Sequence, residues 1–218
     1  MPPMSGTASV WGIVVAAGSG SRFGARKQFA SLRGAPLVHH AVGAALASCD
    51  AVVAVLPDGF VWDGPEVAAT VVGGATRSDS VRAGLAALPD SAGIVVVHDA
   101  ARPLAPRDLF HRVIEAVRVG ADGAVPGIPV ADTLKRVEGD IVIETLRRDD
   151  LVAVQTPQAF RAEALRKAHA GAGEATDDAA LVEADGGRVV VVAGDPRNFK
   201  VTTALDLETA AALLGEVQ

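Results

Sequence analysis

The stretch VVAAGSGSRFGARKQF, residues 14–29, runs an apolar strand into a glycine-rich loop carrying Arg22, Arg26 and Lys27. Backbone N–H groups in such a loop can wrap an anion. Arg22 offers a fork of donors and Lys27 a mobile point charge, and together they suit a triphosphate. Arg26 is assigned to the surface. Gly18, Gly20 and Gly24 are spaced one residue too widely for the G-x-G-x-x-G dinucleotide fingerprint. Asp58, near the end of the next strand, could hold a ribose and keeps that reading open in weakened form. The Walker pattern fails more clearly, because Gly24 is followed by Ala-Arg and Lys27 by Gln. The plainer alternative is a glycine turn with a solvated basic rim.

Three further stretches could carry chemistry. In GGATRSDSV, residues 73–81, a glycine pair after a strand allows close backbone approach to a flat ligand. Ser80 falls early in a helix, where its hydroxyl reaches ligand or backbone, and Arg77 can clamp a loop or a phosphate. The same residues also read as a capped helix start. In VVVHDAARP, residues 95–103, a buried strand delivers His98, Asp99 and Arg102 at its carboxyl end, the edge where open α/β sheets bind ligands. Asp99 beside a triphosphate suits Mg²⁺, a hard ion that bridges phosphate oxygens. His98 is assigned a structural hydrogen-bonding role. Lys200, in a strand-like stretch, is a charge that needs a partner if buried. Thr176, followed by Asp177 and Asp178, reads as a helix cap with dipole-matched acids.

The elements that must position these residues alternate along 218 residues. Strands are expected at Val10–Ala16, Ala51–Leu56, Thr70–Val72, Ile94–His98, Gly123–Ile128 and Arg188–Ala193. Helices are expected from Pro36 to about Ser48, over 78–88, near 106–119 from Pro106, near 160–170 and 177–185, and from about Leu205. This alternation predicts an α/β domain with a Rossmann-like, open, mostly parallel sheet covered by helices on both faces. Residues 130–155 break the pattern and read as a β-hairpin arm. Such an arm is marginal alone, so a homodimer is expected to give it a surface, the alternative being its own domain. The chain reads as one domain over 1–218, with the arm a subdomain.

Composition bounds the function. The formal charge is -6, which disfavours nucleic acid as a partner but permits a local cationic anion site. Half the residues are hydrophobic, yet no run is long enough to span a membrane. MPPMSGTAS lacks the features of a signal peptide, so the expected location is cytoplasmic. The single cysteine, Cys49, reads as a small buried hydrophobe.

Taken in order, AAGSGSRFG, KQF, GGATRSDSV, VHDAARP, DTLKR, TPQ, TDDA and NFKVT closely resemble the 2-C-methyl-D-erythritol 4-phosphate cytidylyltransferases, from about residue 10 to 213. The first motif is shared by other sugar-phosphate nucleotidyltransferases, while HDAARP, GGxxRxxSV and NxKVT are more specific. The resemblance implies a Mg²⁺-dependent enzyme that joins CTP and methylerythritol phosphate into a CDP-alcohol and pyrophosphate. It assigns Arg22, Lys27 and Lys200 to the triphosphate and transition state. Ala16, Ala17, Gly18, Gly20, Gly74 and Ser80 go to the cytidine and its loop, and Asp99 to Mg²⁺. Arg102 goes to the acceptor phosphate, with Thr133 and Arg148 reaching it in the neighbouring subunit. This set holds no nucleophile–base pair, which fits direct in-line attack of the acceptor phosphate on the α-phosphorus. Three positions depart from the family pattern. Arg26 stands for a common proline, Ala75 for an acid near the cytosine, and Arg197 for an acid before the asparagine. The length suggests a stand-alone form without the synthase domain fused to some relatives. A cytidylyltransferase for ribitol 5-phosphate or another polyol phosphate, and a non-catalytic nucleotide-binding protein, remain as alternatives.

Overall fold

β-Branched strands alternating with one-sided helices build a sheet buried on both faces. The protein is represented by a computed structural model that describes residues 8–18, 27–171 and 173–215. The parallel strands are β1 (Val10–Val15), β4 (Ala51–Leu56), β5 (Ala69–Val72), β6 (Ile94–Asp99), β7 (Gly123–Pro129) and β12 (Val189–Ala193). Two antiparallel strands, β10 (Val152–Val154) and β11 (Gln158–Arg161), complete the sheet. From one edge the order is β12, β7, then β10 and β11 end to end, then β6, β1, β4 and β5. Short β2 (Ser31–Leu32) and β3 (Ala35–Pro36) pair beside the sheet, next to a 3-10 turn at Lys27–Phe29.

The period of two in each strand sorts side chains to opposite faces. Val14, Ala54 and Val96 join one core with Val38 and Val42 of α1 (Leu37–Leu46) and Phe110 and Val113 of α3 (Arg107–Arg118). Their neighbours Ile13, Val53 and Val97 join the other core. There they meet Val81 of α2 (Arg77–Ala86), Leu165 of α4 (Ala162–His169) and Val182 of α5 (Asp178–Ala184). The buried residues of α3, Leu109, Phe110, Val113, Ile114 and Val117, recur with the helical period and form a single stripe. The last helix, α6 (Ala204–Gly215), packs Ala210 against Leu32, Leu37 and Val201. Among the described residues, no helix is long and apolar enough to cross a membrane.

The predicted alternation is therefore observed, with four differences. Residues 158–161 form β11, where a helix was expected from about 160. This strand is inserted antiparallel between β6 and β7, so no crossover helix is needed to place it. Val152–Val154, assigned to the arm, belong to the main sheet, and the hairpin itself is β8 (Lys135–Glu138) with β9 (Ile141–Thr145). Pro36 and Pro106 occupy N-cap positions just outside their helices. Lys200 lies in irregular chain after β12, tied to the body by the Val201 N–H donating to the Ala101 carbonyl.

The chain leaves β1 toward β4 on one side, while β6 leads to β7 on the other. That reversal is a switch point, with the carboxyl ends of β1 and β6 side by side, Val15 opposite Asp99. Gly73 makes the crowding at this edge possible. A Cβ there would stand 2.2 Å from the Ala17 Cβ and 2.8 Å from the Ser80 Oγ. At Gly18 a Cβ would meet nothing within 4 Å among the described residues. Gly73→Ala should therefore destabilise the fold by about 1–3 kcal/mol through overpacking, with Gly18→Ala within about 0.5 kcal/mol of wild type. Urea unfolding of the pair checks this, and equal stabilities would refute the close approach.

Candidate active site

Asp99 ends a strand in which every residue is buried. A carboxylate there must be compensated, and two cations do so. Lys200 Nζ donates to Oδ2 at 2.6 Å, and Arg77 Nε donates to Oδ1 at 3.3 Å. Burial alone would raise the Asp99 pKa, but Arg77 and Lys200 outweigh it and hold the group well below the usual carboxylate range. Arg77 also pairs with Asp178 at 2.8 Å, and the two carboxylates lift its own pKa against the effect of burial. Lys200 is the more exposed partner, and one of its three N–H donors serves Asp99.

Arg102 lies in the turn after β6. Its guanidinium donates to the Asn198 carbonyl at 2.7 Å and the Val154 carbonyl at 3.4 Å, which joins β10 to the segment carrying Lys200. That segment has a second anchor in Gln155, whose side-chain amide makes four bonds to one turn. Nε2 donates to the carbonyls of Asp195 and Asn198, and Oε1 accepts from the Asp195 N–H and the Asn198 side chain. Asn198 is fully buried and also donates to the Thr156 carbonyl at 2.8 Å.

His98 is structural, as its strand position implied. Its Nε2 donates to the Arg102 carbonyl at 3.1 Å, since a carbonyl can only accept. Its Nδ1 then accepts from the Thr156 hydroxyl at 3.1 Å, whose oxygen takes the Asp99 N–H at 3.0 Å. Both ring nitrogens are satisfied in one neutral tautomer. Burial pushes the imidazole down to about 4, against a weaker upward pull from Asp99.

The glycine-rich stretch after β1 is anchored by Gln28, buried to 5% exposure. Its Nε2 donates to the Ala16 and Gly18 carbonyls at 2.7 and 2.8 Å, so the loop's entrance is fastened to the turn at Lys27–Phe29. Phe29 stacks on Phe60 with ring centroids 4.0 Å apart. Arg22 and Gly20 lie outside the described residues, as does the side chain of Lys27. Across the edge, Thr76 and Asp79 form a capping box for α2, and Ser80 Oγ donates to the Thr76 carbonyl at 3.0 Å. Gly74 is exposed, and a Cβ there would meet the Asp79 Cβ at 2.2 Å. The glycine pair thus makes room for the protein's own Ala17 and Asp79.

Three comparisons bear on what this edge does. The family model for IspD, 2-C-methyl-D-erythritol 4-phosphate cytidylyltransferase, matches residues 10–216. The chain belongs to this family. It is 48% identical to the cytidylyltransferase of Nocardia farcinica, over 94% of each chain. It is also 48% identical to a bifunctional IspD/IspF enzyme of Clavibacter michiganensis, covering 93% of this chain and 53% of that one, so it spans about half of that relative. A crystal structure of the Thermus thermophilus enzyme superposes with a TM-score of 0.82 at 37% identity, over 93% of this chain and 98% of that one.

Within this cytidylyltransferase chain, Asp99, Lys200, Arg102, Ser80, Gly74 and Ala16–Gly18 gather at the switch-point edge. Thr133 and Arg148 do not join them. Both are exposed, flanking the hairpin, where Arg148 closes the base of the arm by donating to the Ala131 carbonyl. Thr176 is not the cap of α5. Asp177 caps it, its carboxylate accepting the Ala180 N–H at 3.1 Å. Asp178, read as an ordinary first-turn acid, is 1% exposed and paired with Arg77 and His169. Sequence reasoning also missed Gln28, Gln155 and Asn198, whose partners lie up to 43 residues away and leave no local pattern. Cys49 is half-buried and free, with burial and the neighbouring Asp50 raising its thiol to about 12.

The His98 geometry makes a pH prediction. Above about pH 6.5 the imidazole is neutral in both states. Below it the unfolded chain takes a proton that the native state refuses until about 4, so stability falls as pH falls across that window. The shift from 6.5 to about 4 corresponds to a loss of about 3 kcal/mol. Urea unfolding between pH 7 and 4 should show this slope, flattened in His98→Gln; an unchanged slope in the variant would place the titration elsewhere.

Proposed function

We infer that the protein transfers the cytidylyl group of CTP to 2-C-methyl-D-erythritol 4-phosphate, giving 4-diphosphocytidyl-2-C-methyl-D-erythritol and pyrophosphate. The observation that carries this reading is Lys200, held on Asp99 opposite the carboxyl end of β1, with two further N–H donors that take no other partner among the described residues. An oxygen of the acceptor phosphate bonds to the α-phosphorus of CTP while the bond to the β-phosphate bridge breaks, and pyrophosphate leaves with that electron pair. The attacking phosphate is anionic near neutral pH, so no strong base is required. What the reaction needs is cations that hold two anions together and meet the charge that grows between them.

In this reading Arg22 and Lys27 hold the triphosphate, and Lys200 meets the α-phosphate. Ala16, Ala17, Gly18, Gly20, Gly74 and Ser80 surround the cytidine. Arg102, Thr133 and Arg148 serve the acceptor phosphate. For Mg²⁺, no group of three His, Cys, Asp or Glu side chains stands ready among the described residues. A single carboxylate beside a phosphate site nevertheless fits this ion, which completes its shell with substrate oxygens and water. Asp99 is that carboxylate, and Mg²⁺ bound with the triphosphate would neutralise phosphate charge. Ligation would require Lys200 to yield Oδ2. The reaction is assigned to the cytoplasm.

We also propose a homodimer through the arm. Val137, Ile141, Val142 and Ile143 are each more than half exposed on a two-stranded hairpin. Such a patch on a structure with little stability of its own fits a second copy of the chain. It would place Thr133 and Arg148 at the neighbouring subunit's site.

Pyrophosphate release with CTP and Mg²⁺ tests the chemistry. The expected outcome is fast release with methylerythritol phosphate, little with D-ribitol 5-phosphate, and a loss of about 100-fold or more in Lys27→Ala. Preference for ribitol phosphate would move the protein to another acceptor, and silence with both would refute transfer. For the dimer, Ile143→Asp should shift the mass in solution from two chains toward one and reduce turnover. An unchanged mass would refute the arm interface.

A further inference from the structure

Behind Asp99 a file of polar and charged groups continues, so that the whole runs through five separate segments. Lys200 bonds Asp99, Asp99 bonds Arg77, Arg77 pairs with Asp178 at 2.8 Å, and Asp178 accepts from His169 Nε2 at 3.0 Å. These residues come from the irregular chain after β12, from β6, and from α2, α5 and α4 in turn. The last two side chains are 1% and 2% exposed, deeper than any other pair in the file.

Arg77 is the hinge of the file. Its planar guanidinium carries Nε on Asp99 and one terminal nitrogen on Asp178, so two carboxylates fix both ends of one rigid fork. Remove Asp178 and the fork is free to turn about its Nε contact. The Asp99 carboxylate would then lose its fixed orientation, and with it the place where Lys200 is held. His169 does for Asp178 what Asp178 does for Arg77, occupying the oxygen that Arg77 leaves open. A role in stability alone would be served as well or better by apolar residues at the α4–α5 contact, since a buried ion pair rarely outcompetes a hydrophobic isostere. The charge is instead aligned with the carboxyl end of β6, where Asp99 stands.

We propose that Asp178 and His169 are positioning residues for cytidylyl transfer. Through Arg77 they set the Asp99 carboxylate and so the point at which Lys200 presents its charge to the reacting phosphate. This rests on the function proposed above and extends it to two residues that touch neither substrate.

The test is steady-state kinetics of the full chain with CTP and methylerythritol phosphate, with thermal unfolding in parallel, for Asp178→Asn, His169→Leu and His169→Gln. Asp178→Asn and His169→Leu should lower kcat by about tenfold or more, with KM for CTP within about threefold of wild type. His169→Gln should stay within about threefold in kcat, because its amide N–H can take the place of Nε2–H. Folded Asp178→Asn and His169→Leu proteins with normal kcat, changed only in melting temperature, would overturn the inference and leave the proposed function standing. Equal impairment in His169→Gln and His169→Leu would also overturn it. Should Asp178→Asn not fold, the two His169 variants decide the matter. An inactive wild type would overturn the proposed function and this inference with it.

Discussion

The buried carboxylate of Asp99 can exist at the end of β6 only because Arg77 and Lys200 share its charge, one on each oxygen. Without both cations a carboxylate would be left uncompensated in a low-dielectric edge. The same pairing solves a second problem. Arg77 and Lys200 would repel each other at this edge, and Asp99 lies between them as the shared counter-charge. A chain of formal charge -6 can thus keep a compact cationic site without spreading positive charge over its surface.

That arrangement depends on segments far apart in sequence being held in register. The sheet brings Val15 opposite Asp99, and Gln155 and Asn198 then dock the turn before Lys200 onto the junction of β10 and β11. Thr156 sits at the centre, its hydroxyl bonded to His98 and to the Asp99 N–H while its carbonyl takes Asn198. Gln155, Thr156 and His98 use both donor and acceptor in this layer, while Asn198 Oδ1 and Arg102 Nε find no partner among the described residues. Arg102 extends the layer to β10, the strand by which the chain returns from the arm. The arm and the cation site are therefore mechanically adjacent, although nearly a hundred residues separate Arg102 from Lys200 in the chain.

Much of this was legible from residue order. Continuous β-branched runs marked β1, β4 and β6, since strands covered on both faces need no polar side. Proline marked the starts of α1 and α3. Asp99 and Arg102 stood out because charges at the end of a buried strand need a reason, and Lys200 because it fell in a strand-like stretch. Other features left no local trace. Four residues of β11 are too few to show a period beside a helix, and the antiparallel insertion is decided by which edges of β6 and β7 remain unpaired. Asp177 and Asp178 look alike in sequence, but one caps α5 from outside while the other points inward to Arg77 and His169.

Sequence alone determined the class of chemistry here. The types and order of the glycine loop, the acid at the strand end and the late lysine mark a candidate anion site, and their resemblance to the cytidylyltransferases implies a transfer without a covalent intermediate. Those are properties of side-chain charge and backbone freedom, carried by each residue wherever it lies. Tertiary structure decided which charges meet. Arg77 became the partner of Asp99, Gln28 the clasp of the loop, and His169 the far end of an ionic file. Pairing is a matter of distance and burial, and both are set only when the helices close over the two faces of the sheet.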